Sequence, residues 1–163
     1  MTFLVVLFFV LSLLSGLFTG QISGAALLRG AGVTLALFAL VFPLSLPLGF
    51  LVTLCANCRF KPIKWLAEAY IFVMRGTPLM LQLFFFYYGL PFLPGIGQYL
   101  RLSSFAAAAL SFTLNYAAYF AEIFRGGLLS IDRGQYEVSH VLGLTSFQTM
   151  TRIIIPQMMR VTL

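Results

Sequence analysis

Few side chains in this sequence could do chemistry, and most of them interrupt long apolar runs. The 163 residues include 10 Lys and Arg, 4 Asp and Glu, and a single His. Arg75, Thr77, Pro78, Gln82, Asn115 and Glu122 fall within or at the edges of hydrophobic segments. A charged residue at the centre of a membrane helix costs about 2.5–3.5 kcal/mol, so such groups must face protein or water. Glu122 could contact a ligand, or it could pair with Arg125 or Arg75, and pairing is the favoured reading. Arg75-Gly-Thr-Pro78 supports two readings equally. One is a hinge beside a polar path, where a broken helix exposes backbone groups to a cavity. The other is a tolerated kink, with Arg75 snorkelling or paired to a carboxylate. Gln82 is a weaker candidate of the same kind as Asn115 and Glu122.

A second polar group lies in QYEVSHVLGLTS, residues 135–146, where Gln135, Glu137, Ser139 and His140 crowd between apolar segments. None of these residues forms a catalytic constellation. There is no HExxH, no GxSxG and no phosphate-binding GxxxxGK[ST], so the chain is expected to be no enzyme and to hold no ATP of its own. Cys55 and Cys58 form one CxxC, which offers a metal only two ligands, and a lone histidine adds no site. No metal and no cofactor are expected.

The elements that must position these residues follow from composition. Hydrophobic residues make up 61% of the chain and charged residues 9%, against about 25% charged in a soluble domain. This is the composition of an all-α integral membrane protein. The excess of positive charge then reflects membrane orientation and does not point to nucleic acid. Residues 1–20 hold an uncharged run at 3–19, read as an uncleaved helix because no basic start precedes it. Residues 31–56 form a second run, kinked at Pro43 and Pro47. Arg59, Lys61 and Lys64 follow, a cluster expected on the cytoplasmic side.

Residues 65–90 would make a helix of roughly 39 Å, longer than the roughly 30 Å hydrocarbon core. It must tilt, or else its first half must lie near the interface. Phe84 to Tyr88 read as an interfacial aromatic belt, and 91–103 as an external loop. Residues 104–124 return, and 125–152 is expected to be cytoplasmic.

Within 125–152, Asp132 to Gln135 fits a capping box, as does Thr145 to Gln148. Val138, Val141 and Leu142 share one helical face, and Gly143 suits a positive-φ turn. The expected local structure is helix, glycine turn, helix. A two-turn helix is marginal alone, so its apolar face must dock on something. An ordinary cytoplasmic loop with capped helices is the plain alternative.

Residues 137–156 resemble the EAA motif of ABC-importer permeases, E-A-A-x3-G-x9-I-x-L-P, with Glu137, Gly143 and Pro156 in register. Val138 and Ser139 stand in place of the two alanines, and Ile155 in place of leucine. RGTPLMLQLFFFYYGLP at 75–91 and LNYAAYFAEIFRGGLLSIDRGQYE at 114–137 resemble the polar amino-acid branch of the same family, the histidine, glutamate, glutamine, arginine and opine type. The resemblance covers roughly residues 26 to 160.

The resemblance implies a polytopic transmembrane helical bundle of the MetI-like kind over residues 21–163, in the bacterial cytoplasmic (inner) membrane. It implies a permease subunit that moves polar amino acids. Its partners would be a separate ABC ATP-binding subunit, a periplasmic or extracellular amino-acid-binding protein, a second permease subunit as homo- or heterodimer, and membrane lipid. Gln135, Glu137, His140, Gly143, Leu144 and Pro156 would belong to the segment coupled to the ATPase. Members of the family continue through two further helices, so a chain truncated at its C-terminus is the expectation. A non-transporting membrane anchor or accessory fragment, and an intramembrane enzyme, are the rival readings.

Overall fold

The computed structural model describes residues 24–94 and 97–162, together with Gly16. The expected helix at 3–19 lies otherwise outside the described residues. By contacts the chain divides into two units, residues 1–39 and 40–163. Residues 24–39 of the first unit are helical throughout.

Among the described residues every regular element is helical. Helix α1 runs Gly24–Ala56, seven residues earlier than the apolar run alone suggests, with Pro43 and Pro47 inside it. Helix α2, Lys61–Gly76, starts with proline in its first turn, where a missing N–H costs nothing. Helix α3, Leu79–Phe84, continues through a π turn at Phe85–Gly89 and a 3-10 turn at Leu90–Phe92. Helix α4 spans Ser104–Leu129, capped at its start by the Ser103 side chain, which accepts from the Ala106 N–H. Helix α5 is Arg133–Val141, α6 is Ser146–Thr149, and α7 is Ile155–Thr162, joined to α6 by a π turn at Met150–Ile154.

The run expected at 65–90 is not one helix. Lys61–Gly76 and Leu79–Phe92 meet at 106°, broken at Thr77 and Pro78. The excess length is therefore taken up by a sharp bend at the interruption Arg75-Gly-Thr-Pro78, and no single helix of that length is left to tilt. The cause is local: Pro78 has no N–H to donate to the Met74 carbonyl and disfavours helix at Thr77, which is extended at φ −109°, ψ 140°. Among the described residues, α1 alone is long and apolar enough to cross a membrane, and the bent pair passes the same test as a unit.

In the unit of residues 40–163, α4 is the central element, packed against α2, α3 and α7. Small residues allow the approach. Ala107, Ser111, Ala117, Ala118, Ala121 and Gly127 of α4 are all buried. A Cβ at Gly49 would lie 2.6 Å from Phe120 Cβ and 2.9 Å from the Ala117 carbonyl oxygen, so only glycine fits where α1 crosses α4. One turn further along, Thr53 Oγ1 is buried and donates to Ala121 O at 3.0 Å. The outer faces carry large apolar side chains in the open, among them Trp65, Phe72 and Leu51. A bundle with apolar exterior and small-residue interior is what lipid as solvent selects.

Candidate functional site

Two arrangements carry the polar residues. The first lies between α2 and α4. Glu122 on α4 accepts from both guanidiniums, Arg75 at 3.2 Å and Arg125 at 3.0 Å. Arg125 is held doubly, through Nε at 3.1 Å and Nη2 at 3.0 Å. That hydrogen bond, then the Glu122 charge, raises the Arg125 pKa above its already high ordinary value. Arg75 also stands over the Tyr119 ring, 5.5 Å from its centroid. These four side chains, with Glu68, line a cleft of about 520 Å³. The favoured ion-pair reading of Glu122 is thus what the geometry gives, with both named arginines at once.

Directly behind Arg75 sits a buried pair of amides. Gln82 Nε2 donates to Met74 O at 2.8 Å, to Thr77 Oγ1 at 2.8 Å and to Thr77 O at 3.2 Å. Asn115 Nδ2, from α4, donates to the same Met74 O at 2.9 Å and to Gln82 Oε1 at 3.1 Å. Arg75, Thr77, Gln82, Asn115 and Glu122 are therefore one neighbourhood around the helix break, with Pro78 as its cause.

The second arrangement is the expected helix, turn and helix. Asp132 caps α5, accepting from the Gly134 N–H at 2.6 Å. The expected return bond from Gln135 is absent. Its side chain instead accepts from Gln157 Nε2 at 3.1 Å, tying α5 to α7 across 22 residues. The box at Thr145 is complete: Thr145 Oγ1 accepts from the Gln148 N–H, and Gln148 Oε1 accepts from the Thr145 N–H. Gly143 is the one described residue with positive φ, at 71°, and the Leu144 N–H closes back on Ser139 O at 3.0 Å. Ser139 is fully buried and donates to Gln135 O. Glu137 and His140 are exposed, Leu144 is half-buried, and Pro156 is exposed at the start of α7. Val138, Val141 and Leu142 are 58%, 88% and 68% exposed, so the apolar face of α5 is open.

Sequence reasoning missed Glu68, Tyr119 and Gln157. The first two carried a signal: Glu68 is two helical turns before Arg75, and Tyr119 one turn before Glu122. Gln157 carried none. Among the described residues no group of three His, Cys, Asp or Glu could hold a metal ion.

Residues 45–163 match the family described as binding-protein-dependent transport system inner membrane component. The chain belongs to that family. Its relatives include the arginine transport system permease protein ArtQ of Bacillus subtilis (strain 168), 39% identical over 131 residues, covering 80% of this chain and 58% of that protein. The L-cystine transport system permease protein TcyB of the same organism is 34% identical over 134 residues, covering 82% and 55%. The crystal structure of an amino acid ABC transporter with histidines superimposes with a TM-score of 0.68 at 32% identity, over 85% of this chain and 65% of that one. The chain thus spans little more than half the length of these curated relatives. The all-α, MetI-like permease bundle expected from the motifs is the fold observed.

Proposed function

We propose that this chain is the permease subunit of a bacterial ABC importer for polar amino acids, seated in the cytoplasmic (inner) membrane as a multi-pass protein. A separate ATP-binding subunit would hydrolyse the ATP, a periplasmic or extracellular binding protein would deliver the substrate, and a second permease subunit would complete the path. The observation that carries the reading is the family match ending in a folded, exposed element. Helix α5, the Gly143 turn and α6 are ordered by caps, yet α5 presents an apolar face with Val141 88% exposed. A short capped helix held out from a membrane bundle suits docking in a groove on an ATPase.

In this reading Gln135, Glu137, His140, Gly143 and Leu144 form the docked element, and Pro156 starts the helix that carries its motion back to the bundle. The Gln135–Gln157 bond and the packing of Met158 and Thr162 around Gly127 supply that link. The cleft beside Arg75 and Glu122 is the candidate substrate path. Its mixture of guanidinium and carboxylate suits the two charges of an α-amino acid. Names of relatives that specify arginine and L-cystine are consistent with that class. Arg59, Lys61, Lys64 and residues 125–152 would face the cytoplasm.

The test is reconstitution of the complete transporter with its ATPase and binding protein in liposomes. ATP-dependent uptake of a labelled polar amino acid is expected, together with ATPase turnover stimulated by the loaded binding protein. An ATPase that neither co-purifies with the chain nor responds to it would leave the membrane-anchor reading in its place.

A further inference from the structure

We propose that Gln82 and Asn115 act as positioning residues, forming an amide latch that replaces the backbone donor missing at Pro78 and thereby sets the bend of the broken span and the place of Arg75. The argument begins with one carbonyl. In an unbroken helix Met74 O would accept from the N–H of residue 78, four positions on. That residue is proline, so the acceptor is orphaned. In an apolar setting an orphaned carbonyl is costly, and something must supply a donor.

Two side chains do. Gln82 Nε2 reaches it at 2.8 Å from one turn into α3, and Asn115 Nδ2 at 2.9 Å from α4. The two amides also bond each other at 3.1 Å, and both side chains are buried. Three elements (the end of α2, the start of α3 and the middle of α4) therefore meet on one acceptor. Thr77 completes the turn: its Oγ1 donates to Val73 O and accepts from Gln82. The next residue after Met74 is Arg75, whose guanidinium faces Glu122 across the cleft. A change of bend at 76–79 swings one arm relative to the other and moves Arg75 along α4. A latch of this kind has discrete made and unmade states, because a half-satisfied buried polar network is costly.

The transport readout rests on the permease reading, so the experiment has a second readout that does not. Spin labels replace Leu66 on α2 and Tyr88 beyond α3, both exposed, in a background with Cys55 and Cys58 changed to serine. The interlabel distance in the complete transporter reports the bend, and uptake turnover reports function. Asn115→Leu keeps the branching at Cγ, with some added volume, and removes the donor. It is expected to broaden or shift the distance and to lower turnover about tenfold, the scale of one buried hydrogen bond lost. Gln82→Met is the second variant, should Asn115→Leu fail to assemble, with the same expectation.

Each single variant leaves Met74 O one of its two donors, so that carbonyl is orphaned only in the Asn115→Leu/Gln82→Met double variant, to which Pro78→Ala adds back a backbone donor. That addition should recover thermal stability in detergent while leaving the bend altered and turnover low. An unchanged interlabel distance in both single variants overturns the latch. So does wild-type turnover accompanying an altered distance, because the bend would then position nothing that transport uses. A wild-type transporter that moves no amino acid defeats the permease reading instead, while the distances still decide whether the amides hold the bend.

Discussion

Glu122 shows how little can be inferred from a charge alone. It holds two guanidiniums, yet the three side chains are between 25% and 45% exposed. Partly exposed ion pairs contribute about 1 kcal/mol or less. Glu122→Gln should therefore leave thermal stability in detergent within about that margin. If the cleft is the substrate path, the same change frees two arginines and should raise the uptake KM several-fold; an unchanged KM would make the triad purely structural. Gly143 is a different case. Its φ of 71° costs a β-branched residue about 1–2 kcal/mol of backbone strain. A Cβ there meets nothing within 4 Å in this chain. Gly143→Val should thus preserve membrane insertion but weaken ATPase co-purification. Gly143→Asn, which tolerates the left-handed region, should be much milder. Equal, normal co-purification for both would mean that the turn is only a loop.

Individual elements are where the sequence was most and least legible. The capped turn at 143–148 could be foreseen because each of its signals is local: a glycine, a threonine and a glutamine three residues later. Thr145→Ala should cost about 1 kcal/mol of local stability, visible as faster amide exchange across Ser146–Thr149. The break at Pro78 was half legible. Helix length and proline signalled trouble, but one of the donors that closes on the break comes from Asn115, which is 33 residues from its partner Gln82. No spacing rule encodes such a contact. The misread box at Asp132 has the same origin, since Gln157 competes for the Gln135 side chain from 22 residues away. Close helix approach was equally hidden. Gly49 looked like any apolar-run glycine, yet a Cβ there would collide with α4. Gly49→Ala should destabilise by about 1–3 kcal/mol, as overpacking does, measured as thermal unfolding in detergent. An unaffected midpoint would mean that α1 and α4 separate easily.

Across the whole molecule, the proposed topology would put the positive cluster at 59–64 and the stretch 125–152 on one side of the membrane, and Tyr99 on the other. Labelling of single cysteines in intact cells, with Cys55 and Cys58 replaced, should reach position 99 and not position 60; the reverse pattern would invert the topology. The open face of α5 has a further consequence. Val141 and Leu142 at the end of α5, with Phe147 on α6, are 88%, 68% and 77% exposed, apolar surface that matters once no partner covers it. A permease made in excess of its ATPase would then advertise its own incompleteness. Such exposed apolar segments are what proteases and chaperones of the quality-control machinery engage. The intracellular half-life should therefore lengthen when the ATPase is co-expressed, and Val141→Ser should lengthen it without the ATPase. The surface that would receive the power stroke would in this way also set the proportion in which the two subunits accumulate.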